Sequence, residues 1–518
     1  MNGDKPRLLL FSHLCSAGFV SGAEKLLLLF ARELKLRYQC VLVVPGEGVI
    51  SAQARALGME VVVFEIPLCT ALYSGSHSAA AHLEELKGQF VYQRLLALLV
   101  REKPSYVFVN TSVHPLPAIA AKSLGIPIVW TMMETIHPTP HRYLAVDAIN
   151  EASDVIAGIS RATLQPFQGH PGAGKTLLLS PYVALHEMDP SSWPYHRFQI
   201  RQQFGWQDSH CVIGYVSGSI YPQKGLEPFI RAALLLKDSA PGARFLVVGN
   251  PIDEDYFRMC LNMVQESGLS ARFGWIRFEE NIQRVYSAMD IVVVSSLQSE
   301  GFGMTALEGM SFGKPVVAFS SGGLAEILEA TGNGGYLVRT GDVPGLASKL
   351  EWLLNDASLR LDVGNRNAAA AQAAFGVETL RAQLDQLRAR LPASGFPSPL
   401  VKGNGNTVYL IENRRRRPFV SETAFLQRGF RFEDVTRVDD KELRRWHRGS
   451  SIREWPDRGS GESPSSRKKR RRKRSRPSAR RKRSQAPVRR RPAERSVRKR
   501  RSKPSARRIP RKRYGRRR

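Results

Sequence analysis

Residues 300–308 read Glu-Gly-Phe-Gly-Met-Thr-Ala-Leu-Glu, set off by four residues from the strand-like run Ile291-Val-Val-Val-Ser295. A helical stretch follows and stops near Gly313, and a β-rich run restarts at Pro315–Ala318. Continuous β-branched strands alternating with helices are the pattern of a parallel sheet covered on both faces. At such a strand-to-helix turn, Gly301 and Gly303 leave backbone N–H groups and a helix N-terminus free, which suits an anion or sugar hydroxyls. Glu300 lies at the strand's carboxyl end. Glu308 stands about one turn into the helix, where its carboxylate can reach a ribose diol. The plainer alternative is a tight turn between two solvated glutamates, and the spacing alone leaves both open.

The same unit repeats outward from this segment. Upstream, candidate strands are Arg7–Ser12, Gln39–Val44, Glu60–Phe64, Tyr106–Asn110, Ile126–Thr131 and Val155–Ile159, separated by helical stretches such as Gly22–Leu36 and Phe90–Arg101. After a Pro-rich passage the alternation resumes with Cys211–Val216, Arg244–Val248, Ala271–Phe273 and Asp290–Ser295. The expected fold is α/β, with Rossmann-like doubly wound domains at 1–185 and 186–391 that face a cleft, since open α/β sheets bind ligands beyond the carboxyl ends of their strands. Residues 392–407 read as a linker. Residues 408–455 read as a small β-rich module, with Val408–Glu412 and Pro418–Val420 flanking Asn413 and an Arg414–Arg417 run as in a hairpin. Ser421 is placed to cap a short helix that stops at Gly429.

Composition narrows the function. The chain has 518 residues, 77 Lys+Arg and 46 Asp+Glu, for a formal charge of +31. Thirty of those cations and only two acids, Glu462 and Glu494, fall in residues 461–518, so the remainder is nearly neutral. From 459 to 518 Ser, Pro and Arg dominate and aromatics nearly vanish, so a disordered tail is expected. Such a tail binds polyanions by counterion release: envelope polymer, nucleic acid or an anionic membrane surface. No apolar stretch approaches the roughly 18 residues of a membrane span. The Leu8–Phe11 run behind Asp4 reads as a first strand rather than a leader. Five scattered cysteines, none in a CxxC pair, argue for a reducing cytoplasm and against a disulfide framework or a zinc site.

Several turns together carry a resemblance. Glu300 and Glu308 match an E-x7-E motif; Gly218-Ser-Ile-Tyr-Pro-Gln-Lys224-Gly225 is close to a G-R-L-x-x-x-K-G phosphate loop; Ser321-Gly-Gly-Leu-Ala-Glu326 is close to G-G-x-x-E; and Ser21-Gly22-Ala23-Glu24 is close to an N-terminal G-G-A-E loop. Over residues 7–390 the chain resembles family 4 of the retaining glycosyltransferases, which have the two-domain GT-B fold. The resemblance implies a hexosyltransferase whose first domain faces the acceptor and whose second binds a UDP- or GDP-linked sugar, with no metal or other cofactor. By it, Lys224, with Gly218 and Ser219, would hold the donor diphosphate and Glu308 the ribose. Glu300 and the Phe302, Gly303 and Met304 backbone would hold the sugar, while Gly22, Gly322 and Gly323 would approach the diphosphate. Glu300, Lys224 and His137 are the catalytic candidates. Glycan, lipid or protein acceptors fit, in the cytoplasm or peripherally at the inner face of the membrane.

The departures from the pattern are specific. Ser219 stands where the family has Arg, so Lys224 lacks a companion cation. Ser21 replaces a Gly, and Met133-Glu134 replaces a His–acid pair after the Ile126–Thr131 strand, with His137 or His114 as substitutes. They leave open a second reading, a catalytically weak or inactive scaffold held on a polyanion by its tail. Gly169–Thr176 fits a nucleotide phosphate loop by letter but lies between a helix and a strand in the wrong order. Asp253-Glu-Asp255 reads as the charged start of a helix, not a metal ligand, and Pro138 and Pro140 break the helix that metal binding by His137 and His141 would need.

Overall fold

The structure, a computed structural model, describes residues 5–18, 20–392 and 398–456. Its first sheet grows from β1 (Arg7–Phe11), whose residues Leu9, Leu10 and Phe11 have no solvent contact. Around it lie β2 (Gln39–Val44), β3 (Glu60–Val63), β4 (Tyr106–Asn110), β5 (Ile128–Met132), β6 (Val155–Gly158) and β7 (Thr176–Leu178), in the order β3-β2-β1-β4-β5-β6-β7, all parallel. Phe11 is in register with Val43 on one side and Val109 on the other, so the carboxyl ends of β1, β2 and β4 line up at one edge. Strands buried on both faces are apolar along most of their length, as Leu8–Phe11 and Cys40–Val44 are here.

The second sheet is parallel too. It comprises β8 (Cys211–Ile220), β9 (Ala243–Pro251), β10 (Phe273–Ile276), β11 (Ile291–Val294), β12 (Val316–Phe319) and β13 (Leu337–Val338), in the order β10-β9-β8-β11-β12-β13. The expected doubly wound pair is therefore present. β8 runs four residues past the expected Val216 and carries a register shift between Ser217 and Ser219, which puts Gly218 in a bulge rather than a loop. The closing helix Val377–Arg390 leaves its own domain and lies on the first one. There Arg381 Nε donates to Glu33 Oε2 at 2.8 Å, and Gln383 Oε1 accepts the Ser180 N–H at 2.7 Å. Among the described residues no helix is long and apolar enough to cross a membrane.

The C-terminal module differs from its sequence reading in three respects. The expected linker at 392–407 contains a strand, β14 (Leu400–Lys402), which pairs with β15 (Val408–Glu412). The Arg run is itself a strand, β16 (Arg415–Pro418), because Asn413 and Arg414 both take positive φ (52° and 58°) and close a two-residue turn. The helix Glu422–Leu426 is capped by Ser421 as expected. With β17 (Thr436–Arg437) and β18 (His447–Arg448) the sheet has the order β17-β14-β15-β16-β18. Nor is the module a separate unit. Leu400, Leu410, Phe425 and Phe430 join one buried cluster with Leu95, Leu96 and Leu99 of the first domain. The Asn413 N–H donates to Ser123 O at 2.6 Å, and Phe90 packs on Trp455 at 5.0 Å. A sheet this small cannot bury enough apolar surface alone, so it borrows the helices Phe90–Glu102 and Pro115–Leu124. The Arg/Lys tail expected from 459 onward lies outside the described residues.

Phe425 is 1% exposed at the centre of this contact. Phe425→Ala should cost about 3–5 kcal/mol, and the loss should reach the first domain. Hydrogen exchange is the check: amides of helix Phe90–Glu102 should exchange faster in the variant, and unchanged exchange would show that the contact holds nothing.

Candidate active site

Turns at the carboxyl ends of β1, β8, β11 and β12 converge on the cleft. The turn after β1 leads into helix Gly22–Leu34 through a capping box: Ser21 Oγ accepts the Glu24 N–H at 3.3 Å, and Glu24 Oε2 accepts the Ser21 N–H at 2.8 Å. Gly22 opens the helix with no atom near the place of a side chain, so a ligand could approach its backbone closely.

The turn after β8 is Tyr221–Gly225, a single 3₁₀ turn ending at Gly225 with φ 76°. A side chain at Gly225 would strike the Ser295 carbonyl. This turn is tied to the end of β11: the Leu297 N–H donates to Gln223 O at 2.8 Å, Ser295 Oγ to Gly225 O at 2.7 Å and Tyr215 Oη to Lys224 O at 3.1 Å. The result fixes Lys224, whose Nζ stands 2.7 Å from Glu300 Oε1, both side chains partly buried. Sequence alone places these two 76 residues apart; the structure makes them an ion pair. Gly218 is exposed and Ser219 partly buried at the bulge beside them.

Backbone meets backbone in the Glu300 loop. Glu300 bridges Gly322, and its carbonyl accepts the Gly323 N–H at 2.8 Å. Gly303, at φ 116°, starts helix Met304–Ser311 in a conformation open to glycine. The Phe302 ring is buried edge-on against Phe375 at 5.4 Å, so only its backbone is available to a ligand. Met304 remains partly exposed. Glu308, one turn along, accepts a hydrogen bond from Tyr286 Oη at 2.7 Å. Burial pushes its carboxyl above the ordinary range, with the Tyr286 bond and Lys25 of the first domain pulling back.

Contacts between the domains run through the same loop. Ser160 Oγ donates to Gly301 O, and a side chain at Gly301 would strike the Met133 carbonyl. Glu326 accepts the N–H groups of Arg161 and Ala162 at 2.8 and 2.6 Å. Thus the acid of the G-G-x-x-E segment caps a turn of the other domain. His137 is exposed with its ring 4.5 Å from that of Tyr73. Burial raises the Tyr73 phenol, and the negative charges of Glu134 and Glu300 add to that shift. Lys175 of the nucleotide-loop lookalike donates to Asn150 O and Ser153 O at 2.6 and 3.0 Å, and Asp253 caps helix Glu254–Glu266 through the Tyr256 N–H.

Sequence reasoning missed Tyr286 and the bridging role of Glu326. Tyr286 is fully buried and stacked on Phe312 at 5.2 Å. A buried phenol needs a hydrogen-bond partner, but nothing in the spacing named Glu308 as that partner.

This arrangement is the GT-B fold of glycosyltransferases. Anabaena HepE in complex with UDP and glucose superposes with a TM-score of 0.61 at 22% identity, over 74% of this chain and 99% of that one. A sucrose-phosphate synthase of Thermosynechococcus elongatus gives 0.57 at 18%, over 74% and 99%. Residues 196–370, the second α/β unit, match the family Glycosyl transferases group 1. Among relatives, the D-inositol 3-phosphate glycosyltransferase of Corynebacterium jeikeium is 27% identical over 70% of this chain and 86% of its own. The putative glycosyltransferase EpsD of Bacillus subtilis is 27% identical over 34% and 45%, and the sulfoquinovosyl transferase SQD2 of Arabidopsis thaliana 28% identical over 52% and 54%. The chain spans about half the length of most curated relatives it matches.

The Glu308 carboxyl yields a stability test. A carboxyl raised by burial is tolerated best when protonated, so its contribution is full below the ordinary carboxylate range and is lost as pH rises through the raised value. Glu308→Gln removes that loss. The difference in Tm, variant minus wild type, should therefore grow in the variant's favour from about pH 4 to about pH 8. A difference independent of pH would show that the carboxyl is not perturbed.

Proposed function

We propose that the protein is a retaining glycosyltransferase that moves a hexosyl unit from a UDP- or GDP-linked sugar to a glycan, lipid or cell-envelope acceptor, without a resident metal. The observation that carries this reading is the Lys224–Glu300 pair at 2.7 Å. It joins a cation and a carboxylate from two separate turns at one point, with Glu308 on the helix that follows Glu300. In this reading the donor diphosphate takes Lys224 from Glu300, and Glu300 turns to the sugar together with the Phe302–Met304 backbone. Glu308 accepts the ribose hydroxyls, while Gly22, Gly218, Ser219, Gly322 and Gly323 let the diphosphate approach backbone. His137 remains a candidate contact for the acceptor.

The bond from the anomeric carbon to the diphosphate breaks, and the acceptor oxygen bonds to that carbon on the same face. The acceptor's proton passes to the departing phosphate oxygen. Negative charge growing on the diphosphate is met by Lys224 and by the N-termini of helices Gly22–Leu34 and Gly323–Ala330. Preorganised charge of this kind needs no metal to act.

Nucleotide release from a panel of UDP- and GDP-sugars, with and without acceptor, tests the reading. Absence of release and of calorimetric nucleotide binding would favour the inactive scaffold. Lys224→Ala should lower kcat about 10²-fold, because it faces charge that appears in the transition state and Ser219 supplies no second cation. Wild-type kcat in that variant would show that helix N-termini suffice.

The tail has a separate task in this reading: it holds the enzyme on a polyanion, at the cytoplasmic face of the membrane or on envelope polymer. The exposed Arg414, Arg415 and Arg448 at the β16–β18 edge add cationic surface within the module. Deleting residues 459–518 should leave turnover on a soluble acceptor within about twofold and abolish salt-sensitive binding to anionic vesicles, teichoic-type polymer or nucleic acid. Activity lost on the soluble acceptor would contradict this division.

A further inference from the structure

The C-terminal module lies outside the two α/β domains that carry the glycosyltransferase reading, and its sheet ends in an arginine-laden edge. In the order β17-β14-β15-β16-β18, no strand lies beyond β18 among the described residues. The turn into β16 and the strand itself read Arg414-Arg-Arg-Arg417, and the segment entering β18 reads Arg444-Arg-Trp-His-Arg448. Two of these seven arginines are anchored. Arg417 pairs with Glu412 and donates to Ser450 O, while the Arg416 guanidinium lies 5.9 Å over the Tyr409 ring and donates to Leu443 O at 3.2 Å. Arg444 makes one bond, from Nε to Asp440 O at 3.2 Å. The other four, Arg414, Arg415, Arg445 and Arg448, are exposed, and among the described residues their side chains have no hydrogen bond or ion pair.

Neighbouring carboxylates do not offset them. Residues 398–456 hold 13 Lys/Arg against 8 Asp/Glu, a net of +5. Asp440 accepts the N–H and Nδ2 of Asn404 at 3.0 and 3.3 Å, Asp439 caps helix Asp440–Leu443, and Glu454 accepts from Ser421 Oγ. Lys122 and Asp154, on the adjoining side of the first domain, pair with each other at 2.7 Å. Glu422 and Glu442 form no such bonds, too few to balance the edge. The turn is also unusual. Asn413 and Arg414 hold φ 52° and 58°, and glycine sits most easily at the second position of such a turn. An arginine there stores strain while its guanidinium reaches only solvent.

Strand register spreads the free cations round a corner. Arg415 is in register with His447 and Arg416 with Arg448, and side chains alternate across a sheet. Arg415 and His447 therefore stand on one face and Arg448 on the other, with Arg414 at the turn between them. A flat membrane meets one face of such a corner and misses the other. No large apolar side chain of 414–417 or 444–448 is exposed for insertion either. Tyr409 lies beneath Arg416, and Trp446 packs against the small core of Val401, Ile411 and Leu443, so neither ring is a free platform for stacking bases. Guanidinium forks match phosphate oxygens, and a chain with rotatable bonds between its phosphates can follow the corner.

We propose that Arg414, Arg415, Arg445 and Arg448, with Arg444 beside them, form a binding site for a flexible phosphodiester polymer without bases, of the polyol-phosphate class. The site is separate from the tail and independent of donor chemistry. It gives the module a ligand of its own and ties that polymer to the side of the first domain.

The test uses the full chain and hydrogen exchange read peptide by peptide, because the tail is expected to bind any polyanion and total affinity would not separate the two. The probes are a short glycerol-phosphate oligomer, a single-stranded RNA with the same number of phosphates, and vesicles containing phosphatidylglycerol, all at one ionic strength. The oligomer should slow exchange in 413–418 and 444–449, and the other two should leave both segments unprotected. Arg415→Gln combined with Arg448→Gln should raise the oligomer concentration for half-maximal protection about tenfold, the size of one charge-assisted hydrogen bond, with exchange in helix Phe90–Glu102 unchanged. Arg414→Gly relieves the turn, so it should raise Tm while weakening the same protection, which misfolding cannot mimic. No protection in either segment while the oligomer is bound would leave binding to the tail alone and overturn the site. RNA or vesicles that protect these segments as well as the oligomer would overturn the choice of polymer. An unmoved half-maximal concentration in the double variant would remove the arginines from the site.

Discussion

The cleft depends on a place where backbone packs on backbone with no room for a side chain. Gly301 lies against the Met133 carbonyl of the other domain, and Gly322 against the Glu300 carbonyl. Without a Cβ at those points, the loop after β11 can be pinned simultaneously to the turn after β12 and to the end of β5. That pinning positions Glu300 toward Lys224 and starts the next helix so that Glu308 follows one turn later. Any side chain at Gly301 would separate the domains or move the loop, and the polar groups would lose their common focus.

Around that point the electrostatics are arranged in opposition. Lys224 is neutralised by Glu300, so the two groups hold each other in place rather than standing as bare charges in a partly buried turn. Glu308 is kept from easy ionisation by burial and retained by the Tyr286 hydroxyl. Glu134, on the facing domain, is likewise raised by burial. Ionising Glu308 or Glu134 therefore costs the fold stability, because burial disfavours the charged form of each.

The two domains and the module are joined more thoroughly than their linear order suggests. Helix Val377–Arg390 returns to the first domain, Glu326 caps a turn across the cleft, and the module lays its aromatic face on helices Phe90–Glu102 and Pro115–Leu124. These contacts leave the first domain braced on its outer face by residues far away in sequence.

Much of this was legible in the chain. Unbroken apolar runs such as Leu8–Phe11 and Ile291–Val294 determined the two parallel sheets, because a strand buried on both faces tolerates nothing else. Caps at Ser21, Asp253 and Ser421 fell where short-range hydrogen bonding dictated, and Glu300, Glu308 and Lys224 stood out through the resemblance of their turns to a family's motifs. Local sequence settles local geometry. Only the tertiary structure could decide that Lys224 pairs with Glu300, that Tyr286 meets Glu308, that Glu326 reaches the other domain, and that β14 and its module rest on the first domain rather than hang from a linker. Each of those is a contact between segments tens to hundreds of residues apart. Which of many compatible partners a side chain meets is set by how whole sheets and helices pack, and no local pattern encodes that choice.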